Sequence, residues 1–125
     1  METFSQKLSL IKDYIKDIKN PTILELGVQE GRSTKMFLEV CDQNDGNLIS
    51  VDILDCSKVS NNPRWKFIHA SDDNFKVINQ HLNKNIDVLL IDSLHEPKHI
   101  RNVFYNYFNY VKLNGLIFIG DVVWL

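Results

Sequence analysis

Cysteine is scarce in this chain: of 125 residues only Cys41 and Cys56 carry a thiol. They form no CxxC pair and no His/Cys spacing of a zinc site, which excludes a disulfide framework and structural zinc and points to reduced thiols in a cytoplasmic protein. Five glycines and three prolines are too few for a collagen-like or low-complexity chain. No apolar run is long enough for a membrane span or a signal peptide, and the opening METFSQKLSLIKDYIKDIKN is broken by charge throughout. An excess of one charge is missing too. Fourteen basic residues against 16 acidic ones, net −2, supply no cationic field for nucleic acid or an anionic membrane. A small molecule is the expected partner.

What is present fits one folded domain over residues 1–125, with 44% hydrophobic and 24% charged residues. Phe4, Leu8, Ile11, Ile15 and Ile18 recur at steps of four and three, which predicts an amphipathic helix over about 3–19 with its lysines in solvent. Thr3 and Gln6 are placed for its capping box, and Asn20-Pro21 ends it. Beyond it, short apolar runs alternate with longer mixed segments. Strands are predicted at Ile23 to Leu26, Leu48 to Val51, Trp65 to Ile68, Ile86 to Ile91 and Leu116 to Ile119. Helices are predicted at Ser33 to Val40, Asp73 to Asn83 and Pro97 to Val111, and the polar connection Asp55 to Pro63 holds one helical turn at most. Runs such as VLLI and LIFI suit a parallel sheet covered on both faces, so the expected class is α/β, a doubly wound parallel sheet.

The most informative turn is ELGVQEGRST, Glu25 to Thr34, between the first strand and a helix. Gly27 and Gly31 permit a sharp bend and close ligand approach, and the helix N-terminus offers N–H groups to a carboxylate or phosphate. The competing reading is that two glycines merely solve a tight connection. The second strand ends in Asp52, twenty-five residues after Gly27, where an acid accepts hydrogen bonds from ribose hydroxyls. Its plainer reading is a surface Asp at a strand end. Charge then separates the possible nucleosides. Glu25 and Glu30 beside the glycines oppose a pyrophosphate but suit the sulfonium and ammonium of S-adenosylmethionine, while Arg32, Ser33 and the helix N–H groups suit its carboxylate. Gln29 in place of the second glycine of G-x-G-x-x-G also weakens a dinucleotide.

In these segments the chain resembles the class I, Rossmann-like S-adenosylmethionine-dependent methyltransferases. The likeness runs through ILELGVQEGRST, LISVDI, WKFIHASDDNF, IDVLLIDSLHEPKHI and YVKLNGLIFIGDVVW in the family's order. It is nearest to a subgroup with an IDGxHxYxxV-like segment after the fourth strand, here Ile91-Asp92-Ser93-Leu94-His95, and a KPGG-like turn before the fifth, here Lys112-Leu113-Asn114-Gly115. The resemblance implies a strand order 3-2-1-4-5 followed by an antiparallel hairpin. The sequence stops at Trp124-Leu125 instead, and a C-terminally truncated form of the fold is expected. The resemblance also implies that Asp72, with Ser71 beside it, meets the adenine amino group. Both residues are equally suited to capping the next helix.

Asp92, Ser93, Leu94, His95 and Glu96 lie where ligands of open α/β sheets bind, at the carboxyl end of the fourth strand. His95 suits a general base and Asp92 a positioning acid, although Asp92 or Glu96 is also a candidate cap for a helix beginning at Pro97. A His95/His99 zinc pair is discounted because Pro97 separates the two geometrically, and His69 is read as a strand-end or core histidine. Some related O-methyltransferases hold Mg²⁺ between acids of the fourth and fifth strands. Asp121 would be the second acid, but GDVVW has no adjacent Asp or Asn, so metal independence is expected. The aromatic run Phe104, Tyr105, Tyr107, Phe108 and Tyr110 belongs to core or homodimer packing, and Trp124 is a candidate for closing the pocket. The expected site is therefore Glu25, Gly27, Gly31, Ser33, Asp52, Ser71, Asp72 and Asp92 for the donor, with His95 and Asp92 catalytic and no metal. The resemblance implies O-methylation of a sugar or small-metabolite hydroxyl. The alternatives are an NAD-type nucleotide-dependent oxidoreductase and a non-catalytic binding module.

Overall fold

The computed structural model describes residues 3–92 and 96–120. Five strands, β1 (Thr22–Leu26), β2 (Asn47–Asp52), β3 (Trp65–His69), β4 (Ile86–Ile91) and β5 (Val111–Ile119), form one sheet in the order β3-β2-β1-β4-β5. Every neighbouring pair is parallel. This is the doubly wound arrangement expected from the sequence.

Alternation along the strands splits the core into two layers. Ile23, Leu48, Val88 and Leu90 face α1 (Phe4–Ile15) and α2 (Arg32–Asn44), packing with Ile15, Phe37, Val40 and Cys41. Leu24, Leu26, Val51, Leu89 and Ile91 face the other way, toward α3 (Phe75–Ile78) and α4 (Pro97–Phe108), and meet Ile78, Val103 and Tyr107. A parallel sheet with both faces covered needs apolar residues at nearly every position, which is why its strands read as continuous runs.

Thr3 and Gln6 form the reciprocal capping box of α1. The helix stops at Ile15 rather than near residue 19, and Asn44 Nδ2 donates to the carbonyls of Lys16 and Ile18, turning the chain into β1. Two other helices are shorter than their periodicity predicts. Asp73 to Asn83 yields only the four residues of α3 and a 3₁₀ turn at Asn79–His81, where the Asn79 and Asn106 amides pair reciprocally at 3.2 and 3.1 Å. Helix α4 ends at Phe108 because Val111 pairs with Ile86 at the start of β5. The predicted turn Lys112 to Gly115 is an irregularity inside β5, with Asn114 left-handed (φ 70°) and the ladder shifted between Ile86 and Val88. The aromatic face of α4 divides accordingly: Tyr107 is buried and Tyr105 and Phe108 are exposed. Both cysteines are free and buried. Among the described residues no helix is long and apolar enough to cross a membrane.

Candidate functional site

All parallel strands point their carboxyl ends the same way, and β1 and β4 are neighbours although separated in sequence. At that reversal the connecting loops part and leave a crevice. A cleft of about 400 Å³ opens there, lined by Gly27, Gln29, Val51, Asp52, Ile53, Leu54, Ser71, Asp72, Asp92 and His99. A second cavity of about 230 Å³ lies over the start of α2, lined by Phe4, Val28, Gln29, Glu30, Arg32, Ser33 and Asp92. Gln29 and Asp92 border both.

The glycine turn reverses direction with three left-handed residues in five: Gly27 (φ 106°), Gln29 (φ 53°) and Gly31 (φ 88°). Glycine is indispensable at Gly31, where an added Cβ would lie 2.4 Å from Val59 Cγ1. Gln29 takes this backbone with a side chain, at a cost of about 1 kcal/mol, and so makes the bend that the missing second glycine would make. Gly31 is also the N-cap of α2, with no side-chain cap, so the helix presents its first N–H groups uncapped beside the second cavity.

Asp52 holds the turn from the neighbouring strand. Its Oδ2 accepts from the Val28 and Gln29 amides (2.9 and 3.1 Å) and its Oδ1 from Leu54 (2.9 Å). Partial burial alone would raise this carboxyl, but the three backbone N–H groups together hold it below the ordinary Asp value. Immediately beyond it, Ile53 and Leu54 are 67% and 65% exposed and give the cleft an apolar rim.

Glu25 sits elsewhere than the sequence suggested. It is fully buried and borders neither cavity. Residue 25 shares the inward alternation of Ile23 and lies level with Ser50 of β2. Its carboxylate accepts from Ser33 Oγ (2.5 Å), Thr34 Oγ1 (2.6 Å) and Ser50 Oγ (2.7 Å). Burial pushes the carboxyl up to about 7, against the pull of these three hydroxyls, and the Asp92 charge adds to the rise. In this structure the carboxylate anchors the residues beneath the turn. Glu30, by contrast, is exposed on the rim of the second cavity.

Ser33 borders the second cavity while its hydroxyl points to Glu25. Arg32, expected to meet a carboxylate, donates to Ser5 Oγ (2.8 Å) and lies 4.5 Å over the Phe4 ring. Ser71 and Asp72 do not cap α3, whose N-cap is Asn74. Ser71 Oγ donates instead to Asp73 (2.6 Å), and Asp72 Oδ1 accepts from His99 Nε2 (2.7 Å). Glu96 is the N-cap of α4 but makes no side-chain cap bond. Asp92 donates its backbone N–H to Leu26 (2.8 Å), and its Oδ1 lies 2.7 Å from where a Cβ on Gly120 would be, so Gly120 permits this approach. His69 is a strand-end histidine bonded to the Ile53 carbonyl (2.8 Å). Ser93, His95, Asp121 and Trp124 lie outside the described residues. Sequence reasoning missed His99, Ile53 and Leu54 as cleft residues. The exposed apolar pair directly after a strand-end acid was the available signal for the latter two.

The geometry joins a glycine turn, a strand-end acid on the adjacent strand and a crevice at the sheet reversal. The family described as "Methyltransferase domain" matches residues 24–122. The chain belongs to this family. Among solved structures, this methyltransferase domain is similar to a Staphylococcus aureus protein described as a caffeoyl-CoA O-methyltransferase (TM-score 0.74, 20% identity, 99% of this chain and 60% of that one). It is also similar to the S-adenosylhomocysteine-bound methyltransferase PaMTH1 of Podospora anserina (TM-score 0.78, 17% identity, 98% and 54%). A third is an S-adenosylmethionine-dependent methyltransferase of Archaeoglobus fulgidus (TM-score 0.64, 18% identity, 92% and 51%). The methyltransferase domain thus spans between half and three-fifths of these proteins' length. No curated protein matches it in sequence. The sheet order is that of the Rossmann-like fold, which the domain shares with these solved methyltransferases.

Proposed function

We propose that this domain binds S-adenosylmethionine across the two neighbouring cavities that Gln29 and Asp92 both line and transfers its methyl group to a hydroxyl of a sugar or other small metabolite. The observation that carries the donor reading is the cleft itself: a part-buried carboxylate at the end of β2, an apolar rim and a buried acid on the far wall. The residues fit the group. Asp52 holds three backbone N–H groups, and its remaining neighbour is the Cys56 thiol, a weak donor that a ribose hydroxyl can displace without releasing a backbone N–H. Ile53 and Leu54 suit a purine face, Ser71 and Asp72 its edge, and Gly27 close approach of the chain. The uncapped start of α2, with Gly31 and Ser33, suits the amino-acid carboxylate. Glu25 contributes indirectly, by fixing the hydroxyls of Ser33 and Thr34.

The donor, when bound, supplies a methyl group already activated by its sulfonium, so the protein's work is alignment and proton removal. Alignment is the larger part. Well-oriented reactants gain effective molarities on the order of 10⁵ M or more, against about 10² to 10⁴-fold for one general base. Asp92, which borders both cavities, is the proposed positioning acid, and His95 the base that takes the acceptor's proton. Metal independence remains the proposal. The hydroxyl acceptor draws support from the neighbour described as an O-methyltransferase.

Calorimetry with S-adenosylmethionine and NADH in parallel tests the donor: binding of the first and not the second is expected, and preference for NADH sinks the reading in favour of an oxidoreductase. Donor binding with no transfer to any hydroxyl would leave a binding module. Where transfer is found, His95→Ala should lower turnover by about 10² to 10⁴-fold with donor affinity intact; unchanged turnover removes His95 from the mechanism.

A further inference from the structure

Asp72 is held twice by one helix. Its Oδ1 accepts from His99 Nε2 at 2.7 Å, and its backbone carbonyl accepts from Tyr107 Oη at 2.6 Å. His99, Val103 and Tyr107 recur every four residues and share the inward stripe of α4. Asp72 is only 7% exposed and forms part of the cleft wall. Its second oxygen, Oδ2, is buried without a hydrogen-bond partner among the described residues. Buried polar atoms nearly always have partners, and an unpaired one costs on the order of 1–3 kcal/mol. A carboxylate only accepts, so His99 must carry its proton on Nε2, and the oxygen left over seeks a donor.

We infer that His99 is a positioning residue: it ties down Oδ1 of Asp72 so that Oδ2 is kept for an N–H donor of the ligand, the exocyclic amine of its purine. The inference rests on the donor-site reading above and adds a discriminating element to it. Without His99 the carboxylate is free to rotate, satisfy both oxygens with water and lose its preference for a ligand that brings an amine.

The test compares binding of S-adenosylhomocysteine with that of its 6-deamino (purine) counterpart by calorimetry. The unmodified protein should favour the amino form by about tenfold, the worth of one hydrogen bond to a charged group. His99→Ala should reduce this to less than about threefold, chiefly by weakening the amino form, and His99→Gln, which keeps an N–H donor, should restore most of it. Asp72→Asn, which preserves an oxygen for His99 but offers N–H to the amine, should abolish the preference even if His99→Ala proves unstable to thermal melting. Equal weakening of both ligands in a folded His99→Ala protein, or a preference that survives Asp72→Asn, overturns the inference while leaving the donor site standing. Binding of neither ligand by the unmodified protein overturns both.

Discussion

The ends of β1 and β2 lie side by side in the sheet, each carries an acid, and the two acids are solvated in opposite ways. Glu25 has lost all its water and has three side-chain hydroxyls in exchange, whereas Asp52 keeps part of its water and has three backbone N–H groups. Number of hydrogen bonds is therefore not what separates them. Burial outweighs three hydroxyls and raises Glu25 to about 7, while fixed amide dipoles outweigh partial burial and lower Asp52. The first arrangement suits an anchor that must hold a helix end. The second suits a group that stays ionised while meeting a ligand.

Deleting the anchor should have the largest effect. Glu25→Ala strands the hydroxyls of Ser33, Thr34 and Ser50 in the core and leaves a cavity, and we expect it to cost about 3 to 5 kcal/mol in urea unfolding. A loss below about 1 kcal/mol would mean that the hydroxyls find other partners and that Glu25 holds nothing together. Asp52→Ala should act differently. The Gln29 and Leu54 amides are exposed and can turn to water, and only the Val28 amide is left in a part-buried place, so stability should fall by about 1 to 2 kcal/mol, while donor affinity drops roughly 10- to 30-fold. An unaltered binding isotherm would reject the ribose role and reduce Asp52 to a clasp on the glycine turn.

Why one of these acids was legible in the sequence and the other was not follows from the kind of contact each makes. Asp52 ends an apolar run and follows a glycine turn at a readable spacing, and two of its three amide partners belong to that same turn, the third lying two residues on. The strands and their order were equally readable, because a two-sided sheet writes itself as apolar runs and the family's motifs order them. Glu25 needed the register of β1 on β2, which alone reveals that it faces Ser50 and the core. His99 had no local signal, since its partner Asp72 lies 27 residues away. The shortened α3 is the same case: the Asn79–Asn106 pair that accompanies its end spans two elements.

The two acids should also pull stability in opposite directions with pH. Glu25 has a folded value of about 7 against an ordinary 4.5, so between these values the folded state holds more proton than the unfolded chain. Its contribution is complete below about pH 4.5 and is lost as pH rises through 7. Asp52, lowered, contributes above its unfolded value of about 3.9 and loses that as pH falls through its folded value. Glu25→Gln removes the first dependence alone. The unmodified protein should therefore lose roughly 8 to 10 °C more in melting temperature than Glu25→Gln between pH 5 and 8. Parallel profiles would show that Glu25 does not titrate in this range.

The finest distinction lies within the anchor. Trp65 Nε1 donates to Ser50 Oγ at 2.9 Å, and an indole has no acceptor to offer in return, so the Ser50 hydroxyl proton must point to Glu25. Ser50 is thus a relay with a fixed direction, while Ser33 and Thr34 hold the start of α2. Ser50→Ala should cost about 1 kcal/mol, less than the whole anchor, because Glu25 keeps two donors and Trp65 is near enough to the surface to find water. It should also raise the Glu25 carboxyl further by removing a donor that stabilises the ionised form, moving the loss of stability to higher pH. Donor affinity should change less than about twofold, since the α2 start remains tied. A larger fall in affinity would mean that the interior of the sheet, and not only the helix end, sets the shape of the cleft.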